Sequence, residues 1–197
     1  MRVIEKVNFE AFNWLNFESL PDSNGFKFEL YPKTEGTIDG LMLVFYDLFG
    51  RLKNDLVIGQ FGIDSRWGDF CIDTWDIEND RYDYSPGDKS ESTSNYLRML
   101  AENEVNAEYT GFVKCRDWDK FLPVILDCVL SHTAPYSVMV YAPDHELVFY
   151  FHHTGSLGVY YKELNNEVRC VLQKAKEEDM EIVNYTDGSL KFYFYEM

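Results

Sequence analysis

The 197-residue sequence has few basic residues, few cysteines and no long apolar run, and each shortage excludes a class of protein. The chain contains 18 lysines and arginines but 34 acidic residues. The resulting formal charge of −16 disfavours a protein that grips nucleic-acid phosphates. The longest apolar runs, Leu41–Tyr46 and Leu147–Phe151, are far shorter than the roughly 20 residues that span a bilayer. Residues Met1–Lys6 lack the apolar region of a secretory signal, so we expect a cytoplasmic protein.

Sequence motifs that would fix a reaction are also missing. The chain contains no phosphate-binding glycine loop, no GxSxG turn, no HExxH and no EF-hand loop. Cys71, Cys115, Cys128 and Cys170 lie 44, 13 and 42 residues apart, which matches no zinc-binding pattern. We therefore interpret them as reduced thiols packed in the core, and we predict no cofactor.

Apolar side chains are plentiful, at 46% of the residues, and 17% of the residues are aromatic. This content is sufficient to form a core and excludes disorder for most of the chain. Helical and strand-like segments are mixed without regular βαβ alternation. The pattern predicts an α+β fold with a mostly antiparallel sheet and about three to four helices, in one domain over residues 1–197.

Apolar residues at helical spacing predict the helices. The predicted helices cover residues 6–18, Ser92 or Ser94 to Val105, Asp117 or Asp119 to Val129, and Leu164 to Ala175. In the third of these, Pro123 indicates either a start at Asp119 or a kink.

Alternating or continuous apolar runs bounded by turn residues predict the strands. The predicted strands are Phe26–Tyr31, Leu41–Phe49 paired with Leu56–Ile63, Gly68–Trp75, Tyr136–Tyr141 paired with Glu146–His152, Val159–Tyr161, and Glu181–Thr186 paired with Leu190–Tyr195. The last pair flanks Asp187-Gly188, a dipeptide that favours a two-residue hairpin turn.

Residues 76–95 hold six acidic residues against Arg81 and Lys89, with Pro86-Gly87 in the middle. We predict a long exposed acidic loop, where a subdomain boundary could also fall. Tyr82 and Tyr84 are difficult to bury in so polar a segment. Aromatic side chains ringed by carboxylates are typical of a surface that binds a basic partner. The predicted partner-binding residues are Trp75, Asp76, Glu78, Asp80, Tyr82, Asp83, Tyr84 and Asp88.

Three other groups of residues could carry chemistry. Asp64, Asp69, Asp73 and Asp76 are the most enzyme-like set, although Asp69 and Asp73 on one strand face would lie about 13 Å apart at ~3.3 Å per residue. Cys115 stands between two basic residues that could lower its thiol pKa. His152 and His153 are neighbours on a predicted strand, so we expect their rings on opposite faces.

Two segments carry a resemblance to a known class of protein: the acidic loop Trp75–Tyr84 and the strand and turn Val148–Ser156. The chain resembles the immunity proteins of bacterial polymorphic-toxin and contact-dependent inhibition systems, which are small, acidic and rich in aromatic residues. The resemblance implies a binding protein that neutralises a cognate basic toxin, such as a nuclease, by covering its active-site cleft. It implies no catalytic residue, no cofactor, no membrane and no direct contact with nucleic acid.

Two other functions fit the same sequence. A metal-dependent hydrolase would use Asp64, Asp69 or Asp73 together with a histidine. An acidic mimic of nucleic acid would inhibit DNA-binding proteins by spacing its carboxylates like phosphates along one face.

Overall fold

The computed structural model describes residues 2–16, 23–34, 36–62, 64–186 and 189–191. Four α-helices and eleven strands lie within those ranges. The helices are α1 (Ile38–Phe49), α2 (Glu91–Glu102), α3 (Trp118–Leu130) and α4 (Asn166–Glu177). The strands are β1 (Ile4–Val7), β2 (Phe26–Tyr31), β3 (Val57–Gly59), β4 (Trp75–Asp76), β5 (Arg81–Tyr82), β6 (Phe112–Cys115), β7 (Met139–Ala142), β8 (Leu147–Phe151), β9 (Leu157–Tyr161), β10 (Glu181–Thr186) and β11 (Ser189–Lys191).

Nine of these strands form one antiparallel sheet in the order β1-β6-β3-β7-β8-β9-β2-β10-β11. The short strands β4 and β5 pair only with each other. Helix α1 packs against α3 and α4, and α2 packs against α3. The predicted α+β class with a mostly antiparallel sheet is therefore confirmed.

The central strands of the sheet are covered on both faces. On one face, side chains such as Phe149 join the core formed with the helices. On the other, Tyr141 and Tyr150 lie under the aromatic residues of the N-terminal segment, including Phe12. Every residue of β8 and β9 is buried as a result. Two-sided burial explains why these strands are continuous apolar runs instead of alternating ones.

The predicted helix over residues 6–18 is wrong. Val7 ends strand β1, and the chain then runs irregularly to residue 16, while Phe17 lies outside the described residues. The apolar residues of this segment are spaced to cover the outer sheet face, where Phe9 contacts Phe112 at 5.0 Å and Phe12 stacks on Trp14 at 5.5 Å between ring centroids. Sheet packing, rather than a helical stripe, accounts for their spacing.

The predicted strand Leu41–Phe49 is also wrong, since this segment is most of helix α1. The Thr37 side chain accepts a hydrogen bond from the Gly40 N–H and caps the helix, and Leu41, Phe45 and Leu48 are buried one turn apart. A continuous apolar run does not distinguish a buried strand from a buried helix. Of its predicted partner Leu56–Ile63, only Val57–Gly59 forms a strand, β3, and this strand pairs with β6 and β7. Ile63 lies outside the described residues.

The predicted strand Gly68–Trp75 is replaced by two 3₁₀ turns, Trp67–Phe70 and Ile72–Thr74, and by the start of β4. The predicted acidic loop is shorter than expected. It contains the β4–β5 hairpin and ends at Ser90, whose hydroxyl caps α2 in place of Ser92 or Ser94.

The remaining elements agree with the sequence pattern. Helix α3 begins after Asp117, so Pro123 lies inside it. Strands β7 and β8 correspond to the predicted pair Tyr136–Tyr141 and Glu146–His152 and are joined by the turn Pro143–His145. Strands β2 and β9 and helix α4 lie where the pattern places them. Strands β10 and β11 pair as a hairpin, while Asp187-Gly188 and residues 192–197 lie outside the described residues. Within the described part of the chain, no helix has the length and apolar character needed to cross a bilayer.

The outer face of the sheet supplies a test of its packing. Gly158 lies opposite Tyr150, and a Cβ atom on Gly158 would lie 2.4 Å from Tyr150 Cζ. We expect Gly158→Ala to lower the free energy of unfolding by about 1–3 kcal/mol, because the ring or the strand must shift. Urea unfolding followed by tryptophan fluorescence measures the change. Gly87→Ala is the matched control, since no atom lies within 4 Å of its added Cβ, and it should stay within about 0.5 kcal/mol of the parent. Equal stability of the two variants would contradict the packing described.

Candidate functional site

The acidic segment is built around the β4–β5 hairpin, in which Trp75 pairs with Tyr82 and Asp76 with Arg81. The Asp76 carboxylate closes the hairpin loop. Its Oδ1 accepts hydrogen bonds from the backbone N–H groups of Glu78 and Asn79 at 3.1 and 3.2 Å, and its Oδ2 accepts one from Asn79 Nδ2 at 2.6 Å. These hydrogen bonds, led by the one from the Asn79 side chain, hold the pKa of Asp76 below its usual value. Asp76 therefore shapes the loop itself.

Aromatic rings stack along one side of the hairpin. Trp75 meets Tyr82 edge-on at 4.9 Å between ring centroids, and Tyr82 stacks on Tyr84 at 6.0 Å. The Arg66 guanidinium lies 4.7 Å from the Tyr82 centroid, and its Nε donates to Asp69 Oδ2 at 3.1 Å. A cation over an aromatic face is attractive, so Arg66 ties the rings to the body of the protein.

Tyr84 is an internal anchor of the segment. Its hydroxyl donates to Asp69 Oδ1 at 2.6 Å, and its ring lies against Gly68, where a Cβ would meet Tyr84 Cε1 at 2.4 Å. Burial, reinforced by the hydrogen bond to Asp69, raises the pKa of Tyr84 well above its usual value. Tyr84 is therefore protonated at neutral pH and donates this hydrogen bond.

Asp73 joins the base of the hairpin to helix α2. Its Oδ1 accepts from the Thr93 hydroxyl at 2.6 Å, and its Oδ2 accepts from the Ser90 N–H at 3.0 Å. Partial burial acts to raise the pKa of Asp73, but the hydrogen bonds from Thr93 and Ser90 outweigh it, and the pKa falls below its usual value. The ionised carboxylate is thus the form that holds the two elements together.

Backbone hydrogen bonds complete the attachment. The Ile72 N–H donates to the Thr133 carbonyl at 2.8 Å, and the Asp83 N–H donates to the Thr74 carbonyl at 2.8 Å. Thr74 is fully buried, and its hydroxyl donates to the Cys71 carbonyl at 2.6 Å. The first hydrogen bond consequently attaches the segment before the hairpin to the body of the protein, and the second joins the two arms of the hairpin to each other.

Large apolar side chains are unusually exposed on this hairpin. Of the nine that are strongly exposed in the described part of the chain, four lie between residues 72 and 82. Their exposed fractions are 62% for Ile72, 40% for Trp75, 84% for Ile77 and 37% for Tyr82. Exposed apolar patches of this kind are typical of binding surfaces.

Exposed carboxylates belong to the same segment of the chain. Four exposed ones, at Glu78, Asp80, Asp88 and Glu91, form no ion pair with any residue that the structure describes. We call the eight residues together the hairpin surface. They are Ile72, Trp75, Ile77, Glu78, Asp80, Tyr82, Asp88 and Glu91.

The structure divides the eight residues predicted from the sequence into two groups. Trp75, Glu78, Asp80, Tyr82 and Asp88 are exposed on the hairpin surface, as a binding role requires.

The other three, Asp76, Asp83 and Tyr84, are half-buried and engaged internally. Asp83 accepts from the Ser85 N–H at 2.9 Å and lies 3.8 Å from Lys89 Nζ. Sequence reasoning missed Ile72 and Ile77. They could have been recognised as isoleucines on either side of Trp75 within a polar segment.

The carboxylates of the hydrolase alternative do not converge. Asp69 is bound to Arg66 and Tyr84, Asp73 to Ser90 and Thr93, and Asp64 is exposed. Asp69 and Asp73 do not share a strand face, because 3₁₀ turns replace the predicted strand. Across the described ranges, no three histidine, cysteine, aspartate or glutamate side chains are grouped so that they could hold a metal ion.

The two adjacent histidines differ from expectation. Strand β8 ends at Phe151, so the alternation of faces does not extend to His152 and His153, and their ring centroids lie 4.0 Å apart. His153 also contacts His132 at 5.2 Å, and its Nδ1 lies 3.1 Å from the Pro135 carbonyl oxygen. Burial and the neighbouring His153 lower the pKa of His152.

Cys115 is not activated by its basic neighbours. Its thiol is almost completely buried, and burial raises its pKa to about 12, opposite to the direction that Lys114 and Arg116 suggest in the sequence. Cys71 and Cys128 are fully buried as well, and the four cysteines are free thiols. A thiol that stays protonated at neutral pH is a poor nucleophile.

Comparisons of the chain with known protein families, with curated proteins and with solved structures find no match. Inference about function therefore depends on this chain's own residues.

The anchor at Asp73 can be tested by substitution. We expect Asp73→Ala to lower the free energy of unfolding by about 1–3 kcal/mol, because the Ser90 N–H and the Thr93 hydroxyl lose their acceptor. Asp88→Ala is the control, since Asp88 is exposed on the same segment, and it should change stability by less than about 0.5 kcal/mol. Chemical unfolding measures both. If Asp88→Ala lost as much free energy of unfolding as Asp73→Ala, the stabilising role assigned to Asp73 would be contradicted.

The same anchor predicts a pH dependence. Because the pKa of Asp73 is lower in the folded protein than the usual aspartate value of 3.8, the stabilisation from its carboxylate is complete above that value and disappears as the pH falls through the folded pKa. The stability difference between the parent and Asp73→Ala should therefore shrink between pH 5 and acid conditions near pH 2. The difference between the parent and Gly158→Ala, which removes no titratable group, should stay constant. A stability difference between the parent and Asp73→Ala that grows on acidification would contradict the assigned hydrogen bonds.

Proposed function

We propose that this protein binds a basic protein toxin in the cytoplasm and neutralises it by covering its cationic active-site cleft with the hairpin surface. The observation that carries the proposal is the concentration of exposed apolar side chains between residues 72 and 82, in a segment that also holds exposed carboxylates without an ion-pair partner among the described residues. Such a surface offers both contact area and charge to a positively charged partner.

The apolar side chains would supply most of the affinity. Truncation of aromatic residues at the centre of an interface commonly costs about 2 kcal/mol or more of binding free energy. Trp75 and Tyr82 are candidates for this role, because they pair across the two strands of the hairpin and their rings are in contact. Ile77, in the loop between them, is the most exposed large apolar residue described. Folding leaves these side chains in contact with water. A partner that covered them would therefore bury additional apolar area.

The carboxylates would supply attraction and selectivity. A net charge of −16 speeds encounters with cationic partners and repels nucleic acid, although salt screens it beyond about 8 Å. Glu78, Asp80, Asp88 and Glu91 act at close range, where each can meet an arginine or lysine of the partner. A nuclease is a fitting target, because a cleft that holds a phosphate backbone must be positively charged.

The rigid base of the hairpin also supports a binding role. Asp73, Thr74 and Tyr84 fix its conformation in the free protein, so little loop ordering is needed when a partner binds. A preorganised surface of this kind is suited to tight inhibition, in which the inhibitor competes with the toxin's own substrate.

A charge-reversal pair tests the proposal. Toxin domains encoded beside the gene are co-expressed with the parent protein, with Glu78→Lys/Asp88→Lys, or with the control Asp144→Lys/Glu178→Lys. Both pairs alter the net charge equally, and the control residues are exposed on the β7–β8 turn and after α4. We expect the parent and the control to protect cells, and the hairpin variant to lose at least about 100-fold in affinity by calorimetry.

Two outcomes contradict this function. One is that no neighbouring toxin binds below micromolar concentration or is neutralised by the parent. The other is that the hairpin variant binds and protects as well as the control, which would place the interface elsewhere on the molecule.

A further inference from the structure

The outer face of the sheet is covered by a segment without helix or strand. Residues 8–16, which we call the N-terminal strap, follow β1 at one edge of the sheet and cross the outer face toward β2. Beneath the strap, Val57 of β3, Tyr141 of β7 and Val148 of β8 lie in one row, since Tyr141 pairs with both of the others. All three belong to the same buried cluster as Trp14 of the strap.

Side-chain contacts hold the strap on the sheet. Phe9 lies 5.0 Å from Phe112 and 5.4 Å from Tyr141 between ring centroids. Phe12 lies 5.6 Å from Tyr141. In the described part of the chain, the backbone hydrogen bonds of the strap stay within it or join the turn before β2, and none reaches a strand beneath it. The strap can therefore leave the sheet without breaking the hydrogen bonds that join the strands.

Two polar groups in this layer are buried without a hydrogen-bond partner. Among the described residues, three buried side-chain nitrogen or oxygen atoms have no partner, and two of them are Trp14 Nε1 and the Tyr141 hydroxyl oxygen. Burial raises the pKa of Tyr141, so both groups are protonated donors at neutral pH. Water would satisfy both donors if the strap were lifted. Each unpaired donor therefore destabilises the covered state relative to an open one.

We infer that the N-terminal strap opens as a unit within the folded protein and exposes the outer face of β3, β7 and β8 to solvent, while the sheet and the helices stay in place. The covered state is destabilised by two unpaired donors and gains no strand hydrogen bond from the strap, so opening costs less free energy than unfolding the sheet. The inference goes beyond the proposed function and does not depend on the hairpin surface.

Thiol labelling measures the opening. Val148→Cys places a probe under the strap. Val140→Cys is the matched control, because Val140 lies on the neighbouring strand β7 and belongs to the core formed with the helices. Both valines are almost completely buried, and cysteine is close to valine in size. Every variant also carries Cys170→Ser, since Cys170 is the native cysteine that is not buried. Peptide mass spectrometry locates the label.

The rates and their urea dependence report which motion exposes each probe. We expect Val148→Cys to be labelled at least about tenfold faster than Val140→Cys in the absence of urea. Its rate should also rise less steeply with urea, because the urea dependence scales with the surface that an opening exposes. Val57→Cys, under the strap on β3, is a second probe and should behave like Val148→Cys.

Removal of an unpaired hydroxyl tests the cause of the opening. Tyr141→Phe keeps the ring and eliminates one buried donor, so we expect it to slow the labelling of Val148→Cys about tenfold. Tyr150→Phe is the control in the same cluster, because the Tyr150 hydroxyl is hydrogen-bonded with Tyr160. This control should not slow the labelling.

Two results overturn the inference. If both probes under the strap are labelled at the rate and with the urea dependence of Val140→Cys, the strap leaves the sheet only when the whole protein unfolds. If the probes are labelled faster but Tyr141→Phe does not slow them, the unpaired donors do not promote the opening. Neither result bears on the hairpin surface, which Glu78→Lys/Asp88→Lys tests separately.

Discussion

Burial of both faces of the central strands is the constraint on which the rest of this structure depends. Helices cover one face of β8 and β9, and aromatic residues from the N-terminal segment cover the other. Unpaired charges are costly to bury, so the charged residues are excluded from these strands and placed at the edges and in the connections. With 34 acidic residues to accommodate, those connections become strongly acidic, and residues 72–91 are the clearest case. The apolar centre of the sheet and the acidic hairpin therefore have the same cause, which is the exclusion of charged residues from the buried strands.

The hairpin keeps its apolar side chains in solvent because its base is held by polar contacts. Exposed residues such as Ile77 and Trp75 gain free energy by burial, and a flexible loop would fold them onto the protein surface. Asp73, Asp76 and Tyr84 oppose that collapse with short hydrogen bonds to fixed partners. The half-buried acidic residues thus shape the surface, and the exposed ones remain available to a partner. A binding surface needs both kinds, which is why counting charge alone does not locate it.

The sequence predicted the fold class and most of the segments correctly, and its errors share a physical origin. The run Leu41–Phe49 is almost entirely apolar and is predicted to be a strand, although it is a helix with one face buried in the core and Leu43 exposed on the other. Residues 6–18 have helical spacing, but their aromatic rings follow the outer face of a sheet formed by strands distant in sequence. Residues 68–75 alternate like a strand, yet 3₁₀ turns replace it because their backbone bonds to residues such as Ala107 and Thr133. In each case a long-range contact overrides the local pattern.

By itself the sequence determined the charge, the missing catalytic motifs, the α+β pattern and the position of an acidic aromatic segment, because these depend on composition and on near neighbours. The tertiary structure decided which acidic residues are available. Asp73 is engaged by Thr93 and Asp69 by Tyr84, whereas Glu78 and Asp80 are exposed without an ion-pair partner in the described part of the chain. A carboxylate is free or engaged according to the donors that folding brings within about 3 Å of it, and spacing along the chain does not specify those donors.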